Sequence, residues 1–94
     1  MELDELRRKI DSIDRKLVEL LNERAKVVEE VGKLKKRSGM EVYTPEREKE
    51  ILKLTTGANG GPFSNAAISR LFERILDESR SLERKIAEDL GGKA

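Results

Sequence analysis

The chain has 94 residues, 41% of them charged, and its 20 Lys and Arg against 19 Asp and Glu leave a net charge of only +1. With no Cys and no His, a disulfide framework, a zinc site of the usual ligands and His or Cys catalysis are excluded, and the lack of Cys fits a reducing compartment. The charge balance gives no global pull toward nucleic acid, Tyr43, Phe63 and Phe72 are too few aromatics for a base-stacking platform, and neither a membrane-spanning apolar run nor a signal-peptide pattern is visible, so a soluble cytoplasmic protein is expected.

The first predicted helix runs from about residue 3 to 37. Its seam is Leu3, Leu6, Ile10, Ile13, Leu17, Leu20, Arg24, Val27, Val31 and Leu34, spaced by alternating steps of three and four, so that nine of ten positions are apolar. Gly32 lies inside this helix at modest cost, and Ser38-Gly39 ends it after the basic cluster Lys35-Lys36-Arg37. A short extended connection, Met40 to Tyr43, leads to a second helix over about 45–55, with Thr44 as N-cap and Pro45 at its first position. The Gly- and Pro-rich stretch from Gly57 to Pro62 breaks the chain. Ser64 or Asn65 then caps a third helix over about 65–90, with Ile68, Leu71, Phe72, Ile75, Leu76, Leu82 and Ile86 as its apolar stripe, and residues 91–94 are expected to fray. No strand pattern is present, so the fold class is all-α, one domain over residues 1–94 built from three helices of which one is very long.

Length constrains the assembly. A helix of about 35 residues is roughly 50 Å long, whereas a compact chain of this size has a radius of gyration near 12 Å. The first helix must overhang its own domain, and its continuous seam calls for a second copy, most simply in a twofold-symmetric homodimer.

Several charges lie on apolar faces. Arg24 interrupts the seam, and a guanidinium cannot shed its charge, so an anionic group is expected to meet it. Lys35, eleven residues on, projects within roughly 20° of Arg24. Arg47 and Glu48 share the face of Ile51 and Leu52, and Ser79 and Glu83 form an i, i+4 pair beside the third stripe. Each has a structural alternative: Lys35 as part of a solvated helix end, Arg47-Glu48 as a surface ion pair, Ser79 bonded to its own backbone, Glu83 at a solvent edge, Arg24 as a register device or a buried bridge to Glu83 or Glu48. Taken together, cations and carboxylates from separate helices facing one interior describe an anion-binding pocket better than a core.

At these residues the chain resembles the all-helical (AroQ class) chorismate mutases over nearly its whole length. Residues 6–14, LRRKIDSID, resemble that family's L-R-x-x-I-D-x-I-D; Leu20 to Arg24 its L-L-x-x-R; Val31 to Lys35 its V/I-G-x-x-K; and Val42 to Glu48 its V-x-D/T-P-x-R-E. Gly61-Pro62-Phe63 through Ile75 is similar to mutase domains linked to DAHP synthase, the enzyme of the first shikimate-pathway step. The resemblance implies an intertwined three-helix homodimer that converts chorismate, a dianion, to prephenate in phenylalanine and tyrosine biosynthesis. It assigns carboxylate binding to Arg24 and Arg47 of one chain and Arg7 of the other, which suits the distance of about 25 Å between Arg7 and Arg24 along the same helix. Lys35 would donate to the ether oxygen and a carboxylate, Thr44 and Glu48 would hold the ring hydroxyl, and Ser79 would sit by a carboxylate. Glu83, where many members carry Gln, can assist at the ether oxygen only when protonated.

The implied reaction is a unimolecular rearrangement and needs no cofactor, metal or nucleophile; holding the reactive conformer and stabilising charge on the breaking C–O bond suffice. The alternatives are isochorismate pyruvate lyase on the same scaffold, whose members tend to lack the Arg47-Glu48 pair, and a non-catalytic helical dimerisation or regulatory module. The partners implied are a small dianionic substrate, a second copy of the chain and a fused or associated shikimate-pathway enzyme, with no nucleic acid and no membrane.

Overall fold

The structure, a computed structural model, describes residues 2–91, so the tail residues 92–94 lie outside it. It consists of α1 (Leu3–Ser38), α2 (Pro45–Gly57) and α3 (Asn65–Gly91), with no strand among the described residues. The seam periodicity accounts for α1, and Asp4 and Glu5 in its first turn with Lys35, Lys36 and Arg37 in its last suit the helix dipole. Its end is a Schellman turn: Gly39 takes φ 69°, its N–H donates to the Lys36 carbonyl, and the Met40 N–H donates to the Lys35 carbonyl at 2.8 Å.

Three expectations about helix ends are corrected. The second helix continues to Gly57, because the hydroxyls of Thr55 and Thr56 donate to the carbonyls of Ile51 and Leu52, each at 2.8 Å, and hold its last turn. Thr44 does stand at the N-cap of α2, but its side chain makes no capping bond; the hydroxyl-bearing side chain lines a cleft instead. Gly91, expected in the frayed tail, is the last residue of α3. The start of α3 resolves in favour of Ser64, whose Oγ accepts the Ala67 N–H at 3.0 Å, while Asn65 Oδ1 accepts a bond from Asn59 across the loop.

Helix α3 packs against both other helices. Arg24 meets Ser79, Gly32 meets Glu83 and Ile86, and Lys36 meets Gly91, so positions rise together and α3 runs parallel to the C-terminal half of α1. The N-terminal half of α1 is open to solvent: from Leu3 to Glu23 every side chain but that of Ser12 is exposed, and Leu21, near the end of that stretch, lines a cavity with Ile75 and Leu82 of α3. All nine apolar seam residues are at least 40% exposed, and Leu76 is the one buried hydrophobic side chain among the described residues. Leu71, expected in the α3 stripe, is likewise exposed. The radius of gyration of 16.7 Å and the extents of 59 × 26 × 14 Å express the same overhang. No helix among the described residues is long and apolar enough to cross a membrane.

Gly32 is the one buried residue of α1, and a Cβ there would lie 3.4 Å from Glu83 Cα and 3.5 Å from Glu83 Cγ and Ile86 Cβ. The α1–α3 approach is therefore close enough to admit a methyl group and nothing larger. Gly32→Ala is expected to leave thermal stability unchanged or raise it by up to about 1 kcal/mol, through better helix propensity. Gly32→Val is expected to lower stability by about 1–3 kcal/mol, because its extra methyls force α3 away. Thermal melts of the two variants check this, and equal melting temperatures would refute the close approach.

Candidate active site

The C-terminal half of α1, the Met40–Thr44 connection, the first turns of α2 and the middle of α3 surround a cleft of about 460 Å³. Arg24 and Lys35 reach it from α1, Thr44 from the connection, Arg47 and Glu48 from α2, Ser79 and Glu83 from α3. Its floor is apolar, with Val28, Val31, Ile51 and Leu76 among the lining residues. Arg7 is absent from this lining and lies on the exposed half of α1.

The charged groups are paired in a particular way. Arg24 Nη1 donates to Ser79 Oγ at 2.5 Å, and that hydroxyl donates in turn to the Ile75 carbonyl at 2.8 Å. Arg24 has no ion pair among the described residues, so the seam guanidinium meets a neutral partner and keeps donors for an anion. Lys35 Nζ lies 2.8 Å from Glu83 Oε1 and donates to the Val42 carbonyl at 2.8 Å, tying the connection to the cleft. Both side chains of the Lys35–Glu83 pair are nearly out of solvent, at 12% and 10% exposure. Glu83 Oε1 has no aligned hydrogen bond, so the pair is held chiefly by charge.

The low exposure of the Lys35 and Glu83 side chains rules out a solvated helix end for the first and a solvent edge for the second, whereas Ser79 does bond its own backbone at Ile75 while also accepting from Arg24. Two further structural alternatives fail on the contacts. Arg24 bridges neither Glu83 nor Glu48, because Lys35 and Arg80 occupy those carboxylates. Arg47 and Glu48 are not paired with each other: Arg47 turns to Glu50 on the exposed side of α2, and Glu48 Oε2 lies 2.8 Å from Arg80 Nε. Arg80 is the cleft residue that reading the sequence missed. Its signal was its spacing, four residues after Leu76 and three before Glu83, which places a cation on the buried face of α3. No cluster of three or more potential metal ligands occurs among the described residues.

This arrangement, with forked and point-charge cations converging over an apolar floor beside a carboxylate acceptor, suits a small polyanion carrying a hydroxyl group. A family model described as chorismate mutase type II matches residues 6–84. The chain belongs to the chorismate mutase type II family. It is 41% identical over 89 residues to a bifunctional chorismate mutase/prephenate dehydratase of Aquifex aeolicus, covering 90% of this chain and 25% of that protein. It is 32% identical over 95 residues to a chorismate mutase of Methanocaldococcus jannaschii, covering 97% of this chain and 93% of that one. The form II structure of the Thermus thermophilus chorismate mutase superposes with a TM-score of 0.86 at 38% identity, covering 87% of this chain and 93% of that chain. The chain spans about a quarter of the length of the bifunctional relatives it matches.

Proposed function

We propose that this chain is a chorismate mutase, an isomerase acting as a cytoplasmic homodimer that rearranges chorismate to prephenate. The convergence of Arg24, Lys35, Thr44, Arg47, Glu48, Ser79 and Glu83 on one cleft carries this assignment, alongside family membership. In the reaction the ether C–O bond breaks as a C–C bond forms within the same molecule, so no group leaves and no proton need be transferred. The protein's work is to select the folded conformer of a flexible dianion and to stabilise negative charge gathering on the ether oxygen.

Arg24 clamps one carboxylate, its fork already oriented by Ser79, and Arg47 clamps the other by exchanging its exposed pairing with Glu50 for the substrate. Lys35, placed by the Val42 carbonyl and Glu83, donates to the ether oxygen. Glu48 and Thr44 take the ring hydroxyl. Arg7 completes the site from the partner. Nine exposed apolar seam residues support the dimer, since covering what remains exposed of each stabilises by about 1 kcal/mol. A fused or associated shikimate-pathway enzyme is a further partner in this proposal, by analogy with the bifunctional relatives.

Glu83 stands beside Lys35 at the ether oxygen, where an amide can donate without carrying a charge. Glu83→Gln is therefore expected to turn over chorismate at least as fast as the parent protein. A loss of about 10²-fold or more in that variant would show that the charge of Glu83, and not a donor at its position, serves the reaction. The assignment as a whole is tested by spectrophotometric loss of chorismate with prephenate identified as product; a folded dimer that leaves chorismate untouched would refute it.

A further inference from the structure

One cation of the cleft has no part in the chemistry above. Arg80 follows Ser79 on α3, and its side chain is 25% exposed. Its Nε lies 2.8 Å from Glu48 Oε2 on α2, its Nη2 pairs with Asp77 on the preceding turn of α3, and its guanidinium carbon stands 5.4 Å from the centroid of the Tyr43 ring. Three separate pieces of chain therefore meet on one side chain. The Asp77 carboxylate is half exposed, at 52%, and its pairing is screened by water, whereas Glu48 is 19% exposed and interacts in a drier setting. Arg80 Nε is buried and makes no aligned hydrogen bond, so it holds Glu48 by charge.

We propose that Arg80 is a positioning residue for Glu48, and that Arg80, Glu48 and Tyr43 form one unit that orients the Glu48 carboxylate and seats the connection beside the cleft. This rests on reading the cleft as a chorismate site in which Glu48 accepts the ring hydroxyl. Arg80 engages Oε2, which directs Oε1 toward the hydroxyl. It also offsets a carboxylate charge that would otherwise repel a dianionic ligand, since like charges at short range in a partly dry cleft cost more than in water. The Tyr43 ring, on the connection that leads into α2, stabilises the same cation. Arg80 acts through Glu48 and touches no reacting atom.

The test is a double-mutant cycle on the purified full chain. Arg80→Leu is expected to raise KM for chorismate by about tenfold, as for a contacting pair, with kcat and melting temperature little changed. Arg80→Lys should recover most of the loss, because a point charge in that position still faces Glu48. In a Glu48→Gln background, Arg80→Leu should change KM by less than about twofold, since the group it positions is gone. An equal loss in both backgrounds, or an unchanged KM in Arg80→Leu, overturns the proposal. A second readout is independent of turnover. Tyr43 is the one Tyr and the chain has no Trp, so the tyrosine band of the near-ultraviolet circular dichroism reports its ring. Both Arg80→Leu and Glu48→Gln are expected to alter that band, the latter by freeing Arg80. An unaltered band in Glu48→Gln overturns the linked unit. A chain that never turns over chorismate defeats the assigned function, while the Tyr43 band still decides the linkage.

Discussion

Replacing Lys35 by Ala is expected to lower kcat by about 10²–10³-fold, the loss typical of one donor aimed at developing negative charge. The Lys35 ammonium is 12% exposed, fixed at 2.8 Å from both Glu83 Oε1 and the Val42 carbonyl, so it is preorganised for an oxygen acceptor between the helices. Its loss also leaves the Glu83 carboxylate, 10% exposed, without its cation, and an uncompensated buried charge destabilises a fold by several kcal/mol, on the order of 3–5. The two effects separate in the double variant Lys35→Ala with Glu83→Gln. Neutralising Glu83 removes the stranded charge, so thermal stability returns while turnover stays low. Kinetics by chorismate absorbance, with circular dichroism and sedimentation to show a folded dimer, measure both. Near-wild-type turnover in Lys35→Ala would remove this residue from the proposed chemistry.

The second large effect concerns Arg7, which lies about 25 Å from Arg24 along α1 at the rise of a helix. If the site takes Arg7 from the partner, Arg7→Ala and Lys35→Ala are each nearly inactive alone, yet co-refolding them in equal amounts restores activity. Half of the dimers are then mixed, and each mixed dimer has one intact site and one doubly altered, so about a quarter of wild-type activity returns. A site assembled within one chain lacks a residue in every combination, and the mixture stays inactive. The contrast is from near zero to about a quarter, independent of any assumption about rate constants. The exposed apolar seam from Leu3 to Leu20 supports the first outcome.

The sequence carried the helices and most of the cleft. Seam spacing set α1, and Ser38-Gly39 and Pro45 marked its end and the next beginning, because these signals act within a few residues and do not depend on what packs nearby. Arg24, Lys35, Ser79 and Glu83 could be singled out because a charge or hydroxyl on an apolar face is visible from periodicity alone. Their assignments to a particular substrate came from resemblance to a family.

Pairing was beyond it. Periodicity gives the face on which a side chain stands but not which atom on another helix it meets. A surface ion pair between adjacent Arg47 and Glu48 therefore stayed open as an alternative, although the first turns outward to Glu50 and the second inward to Arg80. The parallel course of α3 along α1 decides that Lys35 takes Glu83 and that Arg24 is left with a neutral hydroxyl. The close approach at Gly32, a residue that in sequence was only a weak point of a helix, brings the Glu83 backbone against α1. Local spacing thus determined the elements and which faces carry charge, while the separation and direction of the helices, set by packing across many residues of chain, decided the partners of each charge.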